Sequence, residues 1–209
     1  MNRHIKYVIF CFFSFCFSII GASQVNWVEE WNENQLKQAN VNGNSQMNKV
    51  EKEVIFYCNL VRIDPKKFMS TVLPKYIASR ELENSSYLIS LRRDLKKAHQ
   101  LPPFIADPDL YIVAKKHATN SGNKGTIGHQ NYTQRYKHLN NIFSVDGENC
   151  DYGNWEAIDI VFSWLIDEGI ADLGHRKNIL DPDFTHSGVG IFPHKEYDVN
   201  AVMAYGKME

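Results

Sequence analysis

The arrangement of apolar and polar residues predicts helices in the first part of the chain. Apolar side chains recur every three or four positions over residues 49–62, which is the period of one buried helix face. Asn48 precedes this segment and Glu51 follows three positions later, the pattern of a capping box. A helix is therefore predicted over residues 49–62.

Two Asp-Pro pairs predict the start of two further helices. Asp64-Pro65 and Asp107-Pro108 each join a capping carboxylate to a proline that fits the first helical turn but not a helix interior. The helix that begins at Pro108 is predicted to end at Gly122, because glycine commonly terminates helices.

Two more apolar stripes and a group of late strands complete the pattern. The stripes predict helices over residues 86–98 and 155–167, with Gly169 closing the second. The segments "SGVGIFPH" and "VNAVMAYG" flank "KEYD" and predict an antiparallel hairpin, and a third strand is expected to lead into "VDGENC". Helices followed by antiparallel strands indicate an α+β domain with helices packed on a sheet.

The N-terminus has the pattern of a secretory signal. Arg3 and Lys6 form a basic head, residues 7–20 form an uncharged apolar run, and small residues follow up to Ser23. A membrane anchor is the alternative, but the run is short for a span. We expect a signal peptide over residues 1–23 and a secreted or periplasmic protein with no stable membrane span after cleavage.

The remaining chain is expected to have two parts. Residues 24–46 are polar and rich in Asn and Gln, with a short helix predicted near residues 27–39. Its apolar anchors are Trp27, Trp31 and Leu36. Residues 47–209 are expected to form the main domain, which is long enough for a full-sized core.

Charge and cysteine content narrow the function classes. Loss of Arg3 and Lys6 with the leader changes a balance of 23 basic and 24 acidic residues to a net charge of about −3. No basic face for nucleic acid is indicated, so a nucleic-acid partner is not expected. Only Cys58 and Cys150 remain after cleavage, either as a disulfide or as two buried free thiols.

Four glycine-flanked positions carry side chains that bind metals or transfer protons. They are His129, Glu148, Glu168 and His175. Two imidazoles and two carboxylates in one cleft can hold a divalent ion, or they can form neutral His–Glu pairs that fasten loops. His117 lies on the apolar stripe of its predicted helix and is interpreted as a core histidine. No HExxH or GxSxG motif is present.

The order of several motifs resembles a known family. "LYIVAKKHATNSG", "GH", "GENCDYG", "WLIDEG", "GHRKNILDPDF" and "GVGIF" follow one another as in the CAP superfamily. This superfamily includes cysteine-rich secretory proteins, antigen 5 and pathogenesis-related class-one proteins, and the chain is most similar to the short bacterial branch of SCP-like extracellular proteins. The resemblance implies a three-layer α/β/α sandwich with a central antiparallel sheet.

The resemblance also implies a cleft tetrad. By motif, its members are His129, Glu148, Glu168 and His175. The family places a tryptophan three residues before the second Glu, whereas Trp164 lies four before Glu168. Asp167 is therefore the alternative to Glu168. The other charges of "GHRKNILDPDF" are interpreted as surface and capping groups, with internal binding of a carboxylate as the alternative for Arg176.

These observations lead to three functional hypotheses. The first is a non-enzymatic exported domain whose cleft binds a small ligand or a divalent metal such as zinc; no other cofactor is indicated. The second is a metal-dependent hydrolase or peptidase with Glu148 or Glu168 as general base. The third is an envelope or host-contact protein that binds an extracellular partner.

Overall fold

The computed structural model describes residues 25–41 and 46–208. The signal peptide predicted over residues 1–23 lies outside these ranges. The described residues form eight α-helices and one four-stranded sheet. The helices are α1 (Glu33–Ala39), α2 (Lys49–Ile63), α3 (Pro65–Ser79), α4 (Ser86–Lys97), α5 (Pro108–Lys124), α6 (Tyr132–Tyr136), α7 (Ala157–Ile166) and α8 (Gly174–Leu180). The strands are β1 (Ile105–Ala106), β2 (Phe143–Tyr152), β3 (His186–His194) and β4 (Asp198–Met208).

The predicted N-terminal caps of α2, α3 and α5 are confirmed. The Asn48 side chain accepts a hydrogen bond from the Glu51 N–H at 3.0 Å, and the Glu51 carboxylate accepts one from the Asn48 N–H at 2.8 Å. Asp64 and Asp107 cap α3 and α5, each with proline at the first position. Glu51 has a second role, because its other oxygen accepts from Lys115 of α5 and from the Ile191 N–H of β3. One capping residue thus also ties α2 to the sheet.

Two predicted helix ends were wrong. The α5 helix continues past Gly122 to Lys124 and ends at Gly125, whose φ of +68° suits glycine. Gly122 is instead a packing residue, since a Cβ there would lie 2.1 Å from the Pro193 carbonyl oxygen. The α7 helix ends at Ile166, and its C-cap is Asp167, with a φ of +57°, two residues before the predicted Gly169.

The sheet has the order β1-β3-β4-β2. The predicted hairpin is present, with β3 and β4 antiparallel and Val189 opposite Met203. The predicted third strand is β2, which pairs antiparallel with β4 and places Glu148 opposite Ala204. Sequence reasoning missed β1, a two-residue strand that pairs parallel with β3. The short helix α1 is also shorter than the segment predicted near residues 27–39.

Helices cover both faces of this sheet, which confirms the three-layer α/β/α sandwich. Val202 and Ala204 of β4 pack against α5 in one apolar cluster. Ala201, Met203 and Tyr205 alternate with them and pack against α2 and α7 in the other. Glycines 188 and 190 let α5 approach β3 closely, because a Cβ at either position would lie within 2.5 Å of the α5 backbone.

The two cysteines lie in different layers, so the disulfide alternative was wrong. Cys58 of α2 belongs to the cluster on one face, and its Sγ lies 4.0 Å from Met203 Sδ. Cys150 of β2 belongs to the cluster on the other face. Both are buried free thiols.

Among the described residues, no helix has the length and apolar character needed to cross a membrane.

Candidate functional site

A cleft of about 400 Å³ lies along the free edge of β2. This edge is free because β2 is the last strand of the sheet and pairs only with β4. The Trp164 indole N–H covers part of the edge by donating to the Cys150 carbonyl oxygen at 3.1 Å. The polar side chains that line the cleft are His129, Asp151, Ser163, Asp167, Glu168 and His175. Four of the five predicted site residues therefore line one cleft, and Glu148 lies beneath His129.

The first side of the cleft is built on a buried Glu148. Its carboxylate accepts a hydrogen bond from His129 Nδ1 at 2.9 Å. Arg135 of α6 binds both carboxylate oxygens, with Nη2 at 2.8 Å from Oε1 and Nη1 on Oε2. Burial raises the pKa of Glu148, but the bonds from His129 and Arg135 outweigh it and the net pKa is lowered. Glu148 is thus an ion-paired anion that orients His129.

The loop that carries His129 is fixed by its neighbour Gly128. The Gly128 N–H donates to Tyr152 Oη at 2.7 Å, and its carbonyl oxygen accepts from His117 Nε2 at 2.9 Å. Gly128 has a φ of +88°, which glycine adopts without strain. His117 is the buried, hydrogen-bonded core histidine that was predicted, and burial lowers its pKa.

The second side of the cleft is built on Asp167. Its Oδ1 accepts from His175 Nδ1 at 2.7 Å, and its Oδ2 accepts from the backbone N–H groups of His175 and Arg176 at 3.0 and 3.2 Å. The carboxylate therefore caps the start of α8 and orients the His175 ring at the same time. Glu168 lies exposed at the rim and is not the carboxylate that contacts His175.

The segment read as a charged surface turn contains a buried arginine. Arg176 is 1% exposed, which contradicts the surface interpretation and agrees with the alternative of an internal contact with a carboxylate. Its guanidinium binds Asp94 of α4 and the carbonyl oxygens of Leu165 and Ile166 at the end of α7. Arg176 thereby fixes α8, and with it His175, against the helices behind the cleft.

Sequence reasoning missed two residues of the site, Arg135 and Asp151. The side chain of Asp151 is buried in the cleft and accepts from Asn154 Nδ2 at 2.9 and 3.1 Å and from Ser163 Oγ. Burial raises its pKa to about 6. The sequence did not single out Asp151, because the strand that carries it also contains Asp146, Glu148 and Asn149. Arg135 offered no signal, because its partner Glu148 is brought to it by the fold.

The predicted tetrad does not form a closed metal cage. Within residues 25–41 and 46–208, the one group of potential ligand atoms that gathers within 4.8 Å is His117, Glu148 and Cys150. His117 and Glu148 are already engaged with Gly128 and Arg135, so this group is a hydrogen-bonded cluster beneath the cleft. On the cleft side, His129 and His175 each keep Nε2 without a hydrogen-bond partner among the described residues. Two open imidazole nitrogens suit zinc or a similar ion.

The comparison with protein families matches this architecture. Residues 57–205 match the family model described as CAP, the cysteine-rich secretory protein family. The chain belongs to the CAP family. A relative is the uncharacterized protein YkwD of Bacillus subtilis, which is 30% identical over 108 residues, 49% of this chain and 40% of that protein. This chain therefore spans less than half the length of that relative.

Two solved structures are similar to this CAP domain. The first is an extracellular protein containing a SCP domain from Bacillus anthracis, with a TM-score of 0.49, 19% identity, and coverage of 84% of this chain and 44% of that chain. The second is an outer surface protein from Borrelia burgdorferi, with a TM-score of 0.43, 24% identity, and coverage of 70% and 97%.

Proposed function

We propose that this protein is an exported, non-enzymatic CAP domain whose cleft binds a divalent metal ion or a small ligand through His129 and His175. One observation carries the proposal. Each imidazole donates its Nδ1–H to a buried carboxylate, Glu148 for one ring and Asp167 for the other, at 2.9 and 2.7 Å. A neutral ring held in this way has its lone pair on Nε2, which is the tautomer that a metal requires.

The roles of the residues follow from these contacts. His129 and His175 would hold the ion, and a bound ion would supply a Lewis acid to which a ligand attaches. Glu148 and Asp167 are positioning residues in this proposal, since their oxygens already accept hydrogen bonds. Two protein nitrogens leave the other coordination positions to water or to ligand atoms, so the site is an open one.

The hydrolase alternative has less support. A general base needs a carboxylate that is free to accept a proton. Glu148 is paired with Arg135, which favours its anionic form and makes it a weaker base. Export rests on the N-terminal sequence pattern, and cleavage after Ser23 would leave a mature chain that begins at Gln24.

Zinc titration of the mature protein tests the proposal. We expect wild type to bind one equivalent of Zn²⁺ by isothermal titration calorimetry. The double variant His129→Ala/His175→Ala should lose this binding, because it lacks both nitrogens. His99→Ala is the matched control, since His99 is exposed and outside the cleft. Affinity should also fall on acidification, because protonated imidazole cannot bind metal.

Two results would contradict the proposal. The first is that wild type binds no zinc, and the second is that the double variant binds zinc as tightly as wild type does. Either result would show that His129 and His175 do not form a zinc site. Cleavage of a peptide library by wild type but not by Glu148→Gln would instead support the hydrolase alternative.

A further inference from the structure

Three buried carboxylates surround the cleft, and their charges are balanced differently. Glu148 is paired with Arg135 and accepts from His129. Asp167 accepts from two N–H groups at the start of α8 and from His175. Asp151 accepts from neutral groups, namely the side chains of Asn154 and Ser163 and the backbone N–H of Tyr152. No Lys, Arg or His nitrogen in the described part of the chain lies within 4.0 Å of it.

A buried carboxylate without a cationic partner is costly. Removing an ion from water costs several kcal/mol, and a nearby opposite charge is what normally offsets this. Asp151 is 6% exposed and borders a cleft that is open to ions. A cation in the cleft would supply the missing positive charge.

Asp151 and one of the open imidazoles lie on the same side of the sheet. Alternate residues of β2 face opposite layers, so Glu148 and Cys150 face α5 whereas Asn149 and Asp151 face α7 and α8. Ser163 of α7 binds Asp151, and the Asn149 amide binds the His175 carbonyl oxygen at 3.0 Å. The uncompensated charge is thus placed beside the α8 wall that carries His175.

We propose that Asp151 supplies the negative charge of the cation site in this cleft. The inference rests on the proposed function and deepens it by naming the acidic component, which the family resemblance had assigned to Glu148 and Glu168. The cation is a divalent metal ion, because two neutral imidazole nitrogens border the same cleft. The ligand atoms of Asp151, His129 and His175 do not gather within 4.8 Å of one another among the described residues. Asp151 is therefore proposed to attract the cation by its negative charge, and not to be a ligand in a preformed coordination sphere.

The test is a zinc titration of four proteins at pH 7.5. Asp151→Asn removes the charge and keeps the shape, and we expect it to weaken Zn²⁺ binding by about 10-fold or more. Glu168→Gln removes the exposed carboxylate at the rim of the same cleft and should change the affinity by less than about 2-fold, since an exposed charge is screened by water. Asp151→Ser is a second neutral variant that should behave like Asp151→Asn, in case the amide disturbs folding. Thermal melts of the metal-free proteins check that each variant is folded.

Each outcome decides between the possibilities. Equal zinc affinity of wild type and both Asp151 variants overturns the assignment of Asp151 but leaves the two histidines as the site. A loss with Glu168→Gln as large as that with Asp151→Asn also overturns it. If wild type binds no zinc, both proposals fail together. If 1,4-diaminobutane binds to wild type and is lost in Asp151→Asn while zinc binding is unchanged, the cation is an organic amine and the metal assignment is wrong.

Discussion

The buried charge of Asp151 should make the metal-free protein less stable near neutral pH than an uncharged variant. The ordinary pKa of this carboxyl is 3.8, and burial raises it to about 6 in the folded protein. This difference corresponds to about 3 kcal/mol of unfolding free energy. Because the folded-state pKa is raised, the contribution to stability is fully present below pH 3.8. It is lost as the pH rises through about 6.

The variant Asp151→Asn isolates this contribution. An asparagine keeps Oδ1, which accepts from Asn154 and Ser163, but its amide nitrogen replaces Oδ2 and cannot accept the second bond from Asn154 at 3.1 Å. This lost hydrogen bond costs about 1 kcal/mol at every pH. We therefore expect Asp151→Asn to be about 0.5 kcal/mol less stable than wild type at pH 4, where the carboxyl of the unfolded chain is already partly ionised. At pH 8 we expect it to be about 2 kcal/mol more stable.

Urea unfolding in buffers with EDTA measures both proteins at half-unit steps from pH 4 to pH 8. The difference between them removes the titration of all other groups. If the difference in unfolding free energy between the two proteins stays constant over this range, the reasoning is refuted, because burial then does not raise the pKa of Asp151. A carboxylate that destabilises the empty protein but strengthens cation binding is what a functional group in this position requires.

Three further substitutions test the framework of the cleft. Arg135→Ala should cost about 3–5 kcal/mol in urea unfolding, because it leaves a buried carboxylate without its cation; a cost below about 1 kcal/mol would contradict the ion-pair account. Asp167→Asn keeps a residue that tolerates the left-handed conformation but gives His175 Nδ1 a poorer acceptor, so zinc affinity should fall about 10-fold; an unchanged titration would count against its positioning role. Gly190→Ala should cost about 2 kcal/mol or more, since its Cβ would lie 2.4 Å from an α5 backbone atom. Gly174→Ala, which meets only ordinary contacts, is its control, and equal melting temperatures of the two variants would refute the packing argument.

The parts of the fold that depend on local chemistry could be predicted from the sequence. The capping box at Asn48 and the two Asp-Pro pairs gave the starts of α2, α3 and α5 because their hydrogen bonds join residues two or three positions apart. The hairpin of β3 and β4 was predictable because its alternation is also local.

The remainder depends on contacts between residues far apart in the chain. Strand β1 exists because Ile105 and Ala106 pair with β3, some 80 residues later, and two residues carry no periodic signal of their own. The choice between Asp167 and Glu168 was decided by the backbone conformation at Asp167, whose φ of +57° ends α7 and goes with the contact to His175. Metal binding by the tetrad stays a prediction, because the carboxylates that the sequence assigned to it bind histidine and arginine side chains or lie at the rim.

The position of the cleft on a sheet edge has a mechanical consequence. His129 is anchored through Glu148 to the layer that contains α5, whereas His175 is anchored through Asp167 to the layer that contains α7 and α8. An ion bound by both imidazoles would cross-link the two helical layers at the edge of the sheet. Separation of either layer from the sheet would then require the ion to dissociate from one imidazole. Hydrogen exchange should accordingly slow at amides of α5 and of α7 together when the cleft is occupied.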